Sequence, residues 1–224
     1  MRQFFLPFFF LSFSLTLIAQ QPPKGFVYLK DIDATIISEL RYFSENNFIG
    51  KPIDGYYNNV IITTKPTAIA LKKAQEKLAL FGLSLKIFDA YRPQQAVNHF
   101  VRWAKQINDT LKKHQFYPDV AKKDLFKLGY IAAKSGHTRG STVDLTIIDL
   151  SSGKELDMGS PYDFFGEISH PHYKNLTKKQ RANRLLLRNL MLTQGFIPYE
   201  NEWWHFTLKN EPYPTTYFTF PIQK

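Results

Sequence analysis

The stretch Ser135-Gly-His-Thr-Arg-Gly-Ser-Thr-Val-Asp144 runs directly into the apolar segment Leu145-Thr-Ile-Ile148. Its small, flexible residues predict a loop, and the apolar segment predicts a strand. Asp144 at the start of that strand is costly to bury unless it is paired or bound to a cation. His137 stands seven residues earlier, about 23 Å away along an extended chain. The two can share a ligand only if the chain turns at Arg139-Gly-Ser141; the alternative is a capped loop followed by a hydrogen-bonded aspartate.

A second polar stretch, Glu202-Trp-Trp-His205, lies near the C-terminus. His205 is the best third ligand to join His137 and Asp144. Two imidazoles and one carboxylate suit Zn²⁺ with a fourth position open, although the same set also binds non-haem Fe(II). A neighbouring carboxylate can accept a proton from an attacking water, and Glu202 is the natural candidate. The alternative is core packing with polar residues at the edge.

The spacing of Glu202 and His205 imposes a condition on the backbone. In a regular strand, residues three apart point to opposite faces. Both side chains can face one metal only if the strand is irregular between them, so the sequence predicts a break there. Trp203 and Trp204 are expected to pack around the site and limit the access of water.

The composition indicates a folded domain that carries a basic surface. The 224 residues are 44% hydrophobic and 16% aromatic, and the net charge is +10 (29 minus 19). We assign residues 21–224 to a single domain. Because the Lys and Arg residues are scattered, with no compact basic run interleaved with aromatics, we read a solvated surface and expect no nucleic-acid partner.

Residues 1–20 have the pattern of a secretory signal peptide. A basic start at Arg2 precedes the apolar run Phe4 to Ile18, and the small residue Ala19 follows. An uncleaved anchor is the alternative, but the run is short for a membrane span and Pro7 interrupts it. We expect cleavage, no stable membrane anchor afterwards, and a periplasmic or secreted protein. The chain has no cysteine, which suits a periplasm better than a disulfide scaffold.

Hydrophobic spacing predicts an α+β fold with a small, largely antiparallel sheet packed with helices. Three helices are expected, the second with Ile107 and Leu111 on its inner face and the third with Ala182, Leu186 and Leu190 facing inward. Lys112 to Ser135 is poorly defined. The predicted helices are Thr67–Phe81, Pro93–Leu111 and the segment from Thr177 to Gly195, and the predicted strands are Leu83–Phe88, Thr142–Leu150 and Trp203–Leu208.

The stretch Phe88-Asp-Ala-Tyr-Arg-Pro93 lies at a predicted strand-to-helix junction. Arg92 stands just before the helix, where side chains often point into a cleft. Because arginine is always charged, it could stabilise the oxyanion of a tetrahedral intermediate. On its own, a surface salt bridge is an equal reading.

Together these motifs resemble the zinc D-alanyl-D-alanine dipeptidases of the VanX type, within the D,D-peptidase and hedgehog-like metallopeptidase fold. The resemblance rests on Ser135-x-His-x-x-Gly-x-x-x-Asp144, on Glu202-Trp-Trp-His205 and on Phe88–Pro93, and it extends from about Phe26 to Pro221. It implies hydrolysis of a small D-amino-acid dipeptide. It also implies the D,D-peptidase fold for the mature chain.

The resemblance also assigns roles to individual residues. It implies one zinc ion per chain on His137, Asp144 and His205. It implies Glu202 as general base and Arg92 as stabiliser of the transition state. For the substrate pocket it implies an acidic residue that receives the free amino group, together with two further contacts; these are Asp163, Tyr42 and Ser135.

Two alternatives stay open at this point. One is a D,D-carboxypeptidase or another peptidoglycan peptidase of the same fold, acting on longer peptides. The other is a non-catalytic zinc-binding or peptidoglycan-binding module, against which Glu202 and Arg92 argue. The sequence leaves open the oligomeric state and the physiological role, whether cell-wall turnover, scavenging or glycopeptide resistance.

Overall fold

The computed structural model describes residues 21–224, and the expected signal peptide lies outside them. Within this range the strands form one two-stranded and one six-stranded sheet. In chain order the strands are β1 (Phe26–Tyr28), β2 (Ile37–Ser38), β3 (Ile62–Thr64), β4 (Leu83–Asp89), β5 (Thr142–Asp149), β6 (Lys154–Glu155), β7 (Phe196–Tyr199) and β8 (Glu202–Leu208).

The α-helices interrupt the strands without strict alternation. None of those described is long and apolar enough to cross a membrane. In chain order the helices are α1 (Leu29–Ile32), α2 (Lys65–Ala79), α3 (Gln94–Lys105), α4 (Lys113–Phe116) and α5 (Lys178–Thr193).

The larger sheet has the strand order β2-β4-β5-β8-β7, with β6 paired to the outer part of β5. Only β2 and β4 run parallel, and all other pairs are antiparallel. The prediction of an α+β fold with a largely antiparallel sheet is therefore confirmed. Central strand β5 is buried over almost its whole length, so the sheet places its middle, and any polar residue there, inside the protein.

Helices α2 and α5 pack on the larger sheet, α2 against β4 and α5 against β7 and β8. The first turn of α2 contains Pro66, which is tolerated there because its missing N–H has no partner in a first turn. The predicted cap of α5 is present as a capping box, in which Thr177 and Gln180 each bond the backbone of the other.

Helix α3 ends earlier than the sequence predicted. It ends at Lys105, and Ile107 and Leu111 are 52% and 67% exposed rather than packed inward. The carbonyl of Gln106 accepts a hydrogen bond from Nζ of Lys122 at 2.8 Å. Lys122, a buried lysine of the following segment, thus bonds a backbone carbonyl at the point where the helix ends. The apolar residues beyond that point are therefore not part of a helix.

The inward face of α5 also differs from the prediction. Leu190 is buried as expected, but Ala182 and Leu186 are exposed. The buried positions are instead Arg184, Leu187, Leu190 and Met191. A run of three leucines at 185–187 allows more than one apolar face, and the structure uses the one that also buries an arginine.

Candidate metal centre and active site

Three adjacent strands bring polar residues to the same level of the sheet. Asp144 on β5 pairs with Asp89 on β4 and with His205 on β8. The pairing of β4 with β5 is irregular between Ile87 and Asp89. Asp89 and Asp144 are both buried, so this row of charge needs partners inside the protein.

His137 reaches the same point from the loop before β5. It lies in a short 3₁₀ helix, Gly136–Arg139, whose N-cap Ser135 accepts a hydrogen bond from the His137 backbone N–H. Gly140 then turns the chain with φ +84°, and a Cβ there would lie 2.2 Å from Cε1 of Phe26. The turn predicted between His137 and Asp144 is present, and only glycine fits it.

The ligand atoms of the three predicted metal-binding residues form a compact triangle. His137 Nε2 and His205 Nδ1 lie 3.3 Å apart, and they lie 3.3 and 3.1 Å from Asp144 Oδ1. Atoms held about 2.0–2.1 Å from a tetrahedral zinc are separated by about 3.3–3.4 Å. Oδ1 of Asp144 is buried and has no hydrogen-bond partner among the described residues. The site therefore fits one Zn²⁺ ion.

Neighbouring groups hold two of these ligands in the orientation that a metal requires. Nδ1 of His137 lies 2.7 Å from the carbonyl of Ala90, to which it donates, leaving Nε2 unprotonated for the metal. The other carboxylate oxygen of Asp144, Oδ2, lies 3.1 Å from the Tyr162 hydroxyl and 3.4 Å from Nη2 of Arg92. The carboxylate of Asp144 is thus held by its neighbours through Oδ2, while Oδ1 is left free for the metal.

The ligands also tune each other electrostatically. Burial alone would raise the pKa of Asp144, but the neighbouring imidazoles of His137 and His205 outweigh it and hold that pKa well below its usual range. Burial alone would lower the pKa of His205, but Asp144 and Glu202 outweigh it and raise that pKa to about 9. The cluster favours a cation, whether a proton or a metal ion.

Glu202 lies beside the triangle. Its Oε2 is 3.3 Å from Nδ1 of His205, so the two side chains share one side of β8 despite their three-residue spacing. The pairing of β7 with β8 passes from Pro198–Phe206 directly to Tyr199–Glu202, which leaves three β8 residues without a partner on β7. The predicted irregularity of the backbone is therefore present.

The sequence predicted that both tryptophans between Glu202 and His205 pack around the site, and this is wrong for one of them. Trp204 lines the cavity beside the metal ligands. Trp203 points elsewhere, and its Nε1 donates to the hydroxyl of Ser160 at 3.0 Å. The two rings are nearly perpendicular, at 87°. Neighbouring side chains of a strand point to opposite faces, so the two rings reach different cavities.

The metal-ligand triangle opens into a cavity of about 240 Å³. Arg92 lines it, with its guanidinium carbon 5.0 Å from the centre of the Tyr42 ring and its Nε donating to Oδ2 of Asp89 at 2.8 Å. Ser135 and Asp163 are also on its wall. All eight residues that the sequence singled out therefore border one cavity; their individual roles remain predictions.

Asp163 is an unusual member of the cavity wall. It is buried, its φ is +61°, and its Oδ2 has no hydrogen-bond partner among residues 21–224. The hydroxyl of Tyr42 donates to Oδ1 at 3.1 Å. Burial, and then the negative charge of Asp144, raise the pKa of Asp163 well above its usual value. A carboxylate in a strained conformation with a free oxygen is suited to receive a cationic group.

Sequence reasoning missed the residues that connect these groups. The Tyr162 hydroxyl lies 3.1 Å from Oδ2 of Asp144 and 3.1 Å from the hydroxyl of Tyr42, which links the metal ligand to Asp163. Asp89 accepts from Arg92 and from Tyr56. The only available signal was that Asp89 stands in an apolar strand next to Arg92, as Asp144 does in its own strand.

The remaining histidines of the described part lie apart from this centre. Nδ1 of His99 accepts the backbone N–H of Asp54, and His172 faces Glu200 at 3.8 Å. Within residues 21–224, the one group of three or more side chains suited to a metal is His137, Asp144 and His205.

Three converging metal-ligand atoms, an adjacent carboxylate and a partly buried guanidinium in one cavity define the site of a zinc-dependent hydrolase. The family comparison makes this specific. Residues 23–223 match the model of the M15 peptidase family, described as D-ala-D-ala dipeptidase, and the chain belongs to that family. Membership of this family confirms the zinc metallopeptidase chemistry and the D,D-peptidase fold that the resemblance implied.

Relatives cover nearly the whole described chain. A D-alanyl-D-alanine dipeptidase of Enterococcus faecalis is 43% identical over 199 residues, 89% of this chain and 98% of that protein. One of Streptomyces coelicolor is 43% identical over 197 residues, 88% of this chain and 98% of that protein. A solved structure of the LD-carboxypeptidase LdcB has 19% identity and a TM-score of 0.45, covering 86% of this chain and 71% of that one.

Proposed function

We propose that this chain hydrolyses the free dipeptide D-alanyl-D-alanine. The observation that carries the proposal is the small cavity in which the metal ligands, Glu202 and the unpartnered Oδ2 of Asp163 meet. A dipeptide has a charged group at each end, so a pocket of this kind must offer an opposite charge to each. Relatives 43% identical and named D-alanyl-D-alanine dipeptidase support the same substrate.

The chemistry divides between the metal and the chain. Zinc held by the three ligands supplies a Lewis acid that makes water a nucleophile near neutral pH. Glu202 accepts the proton of the attacking water at Oε2, the carboxylate oxygen that faces His205. It then delivers the proton to the departing amine nitrogen, so that one water and one amide bond yield two molecules of D-alanine.

Arg92 stabilises the negative charge that develops on the carbonyl oxygen. Its guanidinium is held by Nε to Asp89 and by Nη2 near Asp144, which leaves further N–H groups for the cavity. Burial alone would lower the pKa of Arg92, but the negative charges of Asp89 and Asp144 outweigh it and keep that pKa above its usual value. A donor fixed in this way needs little reorganisation during the reaction.

The two ends of the substrate are recognised by opposite charges. Asp163 receives the ammonium group at its free Oδ2, while Tyr42 orients the carboxylate through Oδ1. Lys134 lines the same cavity, and its Nζ, 5.1 Å from the centre of the Tyr217 ring, forms no ion pair among residues 21–224. Its ammonium is therefore available for the substrate carboxylate. Ser135 completes the pocket beside it.

The test is a comparison of substrates. Release of D-alanine is measured from D-alanyl-D-alanine and from an N-acetylated tripeptide that ends in the same two residues. The proposal predicts efficient release from the free dipeptide and poor release from the blocked peptide. The reverse preference identifies a D,D-carboxypeptidase, and zinc binding without release from either peptide identifies a non-catalytic module.

A variant tests the mechanism separately. Glu202→Gln keeps the size of the side chain and removes the base, so we expect it to retain zinc and lose about 10²–10⁴-fold in kcat. Full activity of this variant would refute the role of Glu202. His205→Ala is the matched comparison, because it is expected to lose zinc as well as activity.

We further propose that the protein is exported, and that residues 1–20 are removed. The basic start, the apolar run and Ala19 support this. In that location the enzyme would act on dipeptides outside the cytoplasm, in cell-wall turnover, scavenging or glycopeptide resistance. Mass spectrometry of the protein from the periplasmic fraction should show an N-terminus near residue 20; an intact N-terminus in the cytoplasm would contradict export.

A further inference from the structure

A second cavity lies behind the active-site strand and shares no lining residue with the first. It measures about 290 Å³, near the lower end of the range for small-molecule sites. Trp203 of β8 is part of its wall, whereas the next residue, Trp204, lines the active site. Helix α5 forms one side of the cavity. The apolar surface comes from Pro171, Leu185, Pro198, Trp203 and Phe206.

Three arginines of α5 face this cavity: Arg181, Arg184 and Arg188. The spacing of three and four residues places them on one face of the helix. Among residues 21–224, no carboxylate lines the cavity. Glu200, which is 66% exposed, lies outside the lining at 3.8 Å from Nη1 of Arg188. The lining therefore carries three guanidinium charges and no negative charge, with His172 also on it.

Arg184 is the most unusual of the three, because it is 95% buried (5% exposed) without an ion pair. Its guanidinium donates to the backbone carbonyls of Met158, His170 and Ile168 at 2.6, 2.7 and 2.8 Å. Neutral carbonyls do not cancel its charge. Burial accordingly lowers the pKa of Arg184 to about 10, and Asp157 offsets only part of that shift.

The other two arginines keep donors free. Nη1 of Arg188 is buried and has no hydrogen-bond partner among residues 21–224. Arg181 is exposed and makes one hydrogen bond, to the carbonyl of Lys174. Arg184 uses three of the five N–H groups that a guanidinium offers. The wall of the cavity therefore combines uncancelled positive charge with uncommitted donors.

We propose that this cavity binds a small organic anion, with a carboxylate or phosphate on the arginines and an apolar or planar body against Trp203 and Phe206. Guanidinium groups recognise carboxylates and phosphates through paired, charge-assisted hydrogen bonds. The indole and phenyl rings give a flat apolar surface for the rest of the ligand. The site is separate from the dipeptide pocket and does not depend on the proposed function.

The proposal is tested with defined probes on the full-length, zinc-loaded protein. Binding of phenyl phosphate, benzoate, inorganic phosphate and benzyl alcohol is measured by calorimetry. We expect phenyl phosphate or benzoate to bind saturably, inorganic phosphate more weakly and neutral benzyl alcohol not at all. The stronger of the two aromatic anions identifies the preferred acidic group. Saturable binding of neither aromatic anion, or equal binding of benzyl alcohol, would overturn the proposal.

Two variants locate the binding. Arg188→Gln removes a cavity charge at the rim and should weaken the aromatic anion about tenfold or more. Lys178→Gln removes an equal charge from the exposed start of the same helix and should change affinity less than twofold. If the anion binds only at the active-site zinc, Arg188→Gln leaves its affinity unchanged. An unchanged affinity in this variant would therefore contradict binding in the cavity.

Discussion

Replacing Asp163 with asparagine separates recognition of the substrate amine from the rest of catalysis. The substitution keeps the shape of the side chain and its contact with the Tyr42 hydroxyl, and it removes the negative charge. It does not touch the metal ligands or Glu202. The expected result is therefore a loss that depends on whether the substrate carries a free amino group.

The size of that loss follows from the burial of Asp163. It is 5% exposed, and its Oδ2 has no partner until the ammonium arrives. Removing one member of a buried, hydrogen-bonded charge pair costs about 2–5 kcal/mol. At about 1.4 kcal/mol per factor of ten, kcat/KM for D-alanyl-D-alanine should fall at least about 30-fold.

The folded state should not suffer from the same change. Burial raises the pKa of Asp163, so the folded protein binds a proton there more tightly than the unfolded chain does. Its ionised form therefore lowers stability as the pH rises above the unfolded carboxyl pKa of about 4. An asparagine at this position carries no charge and so lacks this loss of stability at pH 7. The melting temperature of the Asp163→Asn variant should therefore equal or exceed that of the wild type.

The assay combines three measurements on Asp163→Asn and the wild type. These are kcat/KM for the free dipeptide, zinc content and melting temperature at pH 7. We expect a large fall in the first, no change in the second and no fall in the third. A kcat/KM within threefold of the wild type, with zinc in place, would refute the assignment of Asp163 to the substrate amine.

The remaining predictions concern the other end of the substrate and the turn before β5. Lys134→Gln should raise KM for the dipeptide about tenfold, because it removes one charge-assisted contact with the substrate. Lys127→Gln, an exposed control, should leave KM unchanged. Equal KM values for the two variants would show that Lys134 does not bind the substrate. Gly140→Ala should lose about 2–3 kcal/mol of stability, because φ is +84° and its Cβ would meet Phe26 at 2.2 Å. Gly153→Ala has a similar φ of +69° but open space, so thermal unfolding should show a smaller loss of about 1 kcal/mol; equal losses would contradict the packing argument.

The part of the metal centre formed by His137 and Asp144 could be predicted from the sequence because its constraints are local, whereas the full ligand set with His205 came from the resemblance to the family. A carboxylate at the start of an apolar strand and a glycine turn after a histidine are both visible in the printed residues around His137 and Asp144. The spacing of Glu202 and His205 even required an irregular strand, which the pairing of β7 with β8 shows. Such features follow from strand geometry and the cost of burying charge.

The surroundings of the ligands could not be predicted in the same way. Tyr162, in the segment after β6, donates to Asp144, and no spacing in the sequence indicates that contact. The sequence expectation puts Trp203 at the active site with Trp204, but adjacent residues of a strand point to opposite faces, and Trp203 contacts Ser160 instead. A contact between distant segments decides the first case, and strand alternation decides the second.

Long polar side chains caused the other errors. Lys122 bonds the carbonyl of Gln106 near the end of α3. Arg184 takes a buried position on α5 that hydrophobic spacing would assign to an apolar residue. Both side chains reach across to backbone carbonyls of other segments, and hydrophobic periodicity carries no record of such bonds.

One zinc ion on His137, Asp144 and His205 should be enough to make this cavity a dipeptidase. The experiment removes the metal with a chelator, returns zinc in known amounts and follows release of D-alanine from D-alanyl-D-alanine. We expect no release without metal and a linear rise that levels off at about one zinc per chain. Release by the metal-free protein, or one bound zinc per chain with no release, would contradict it.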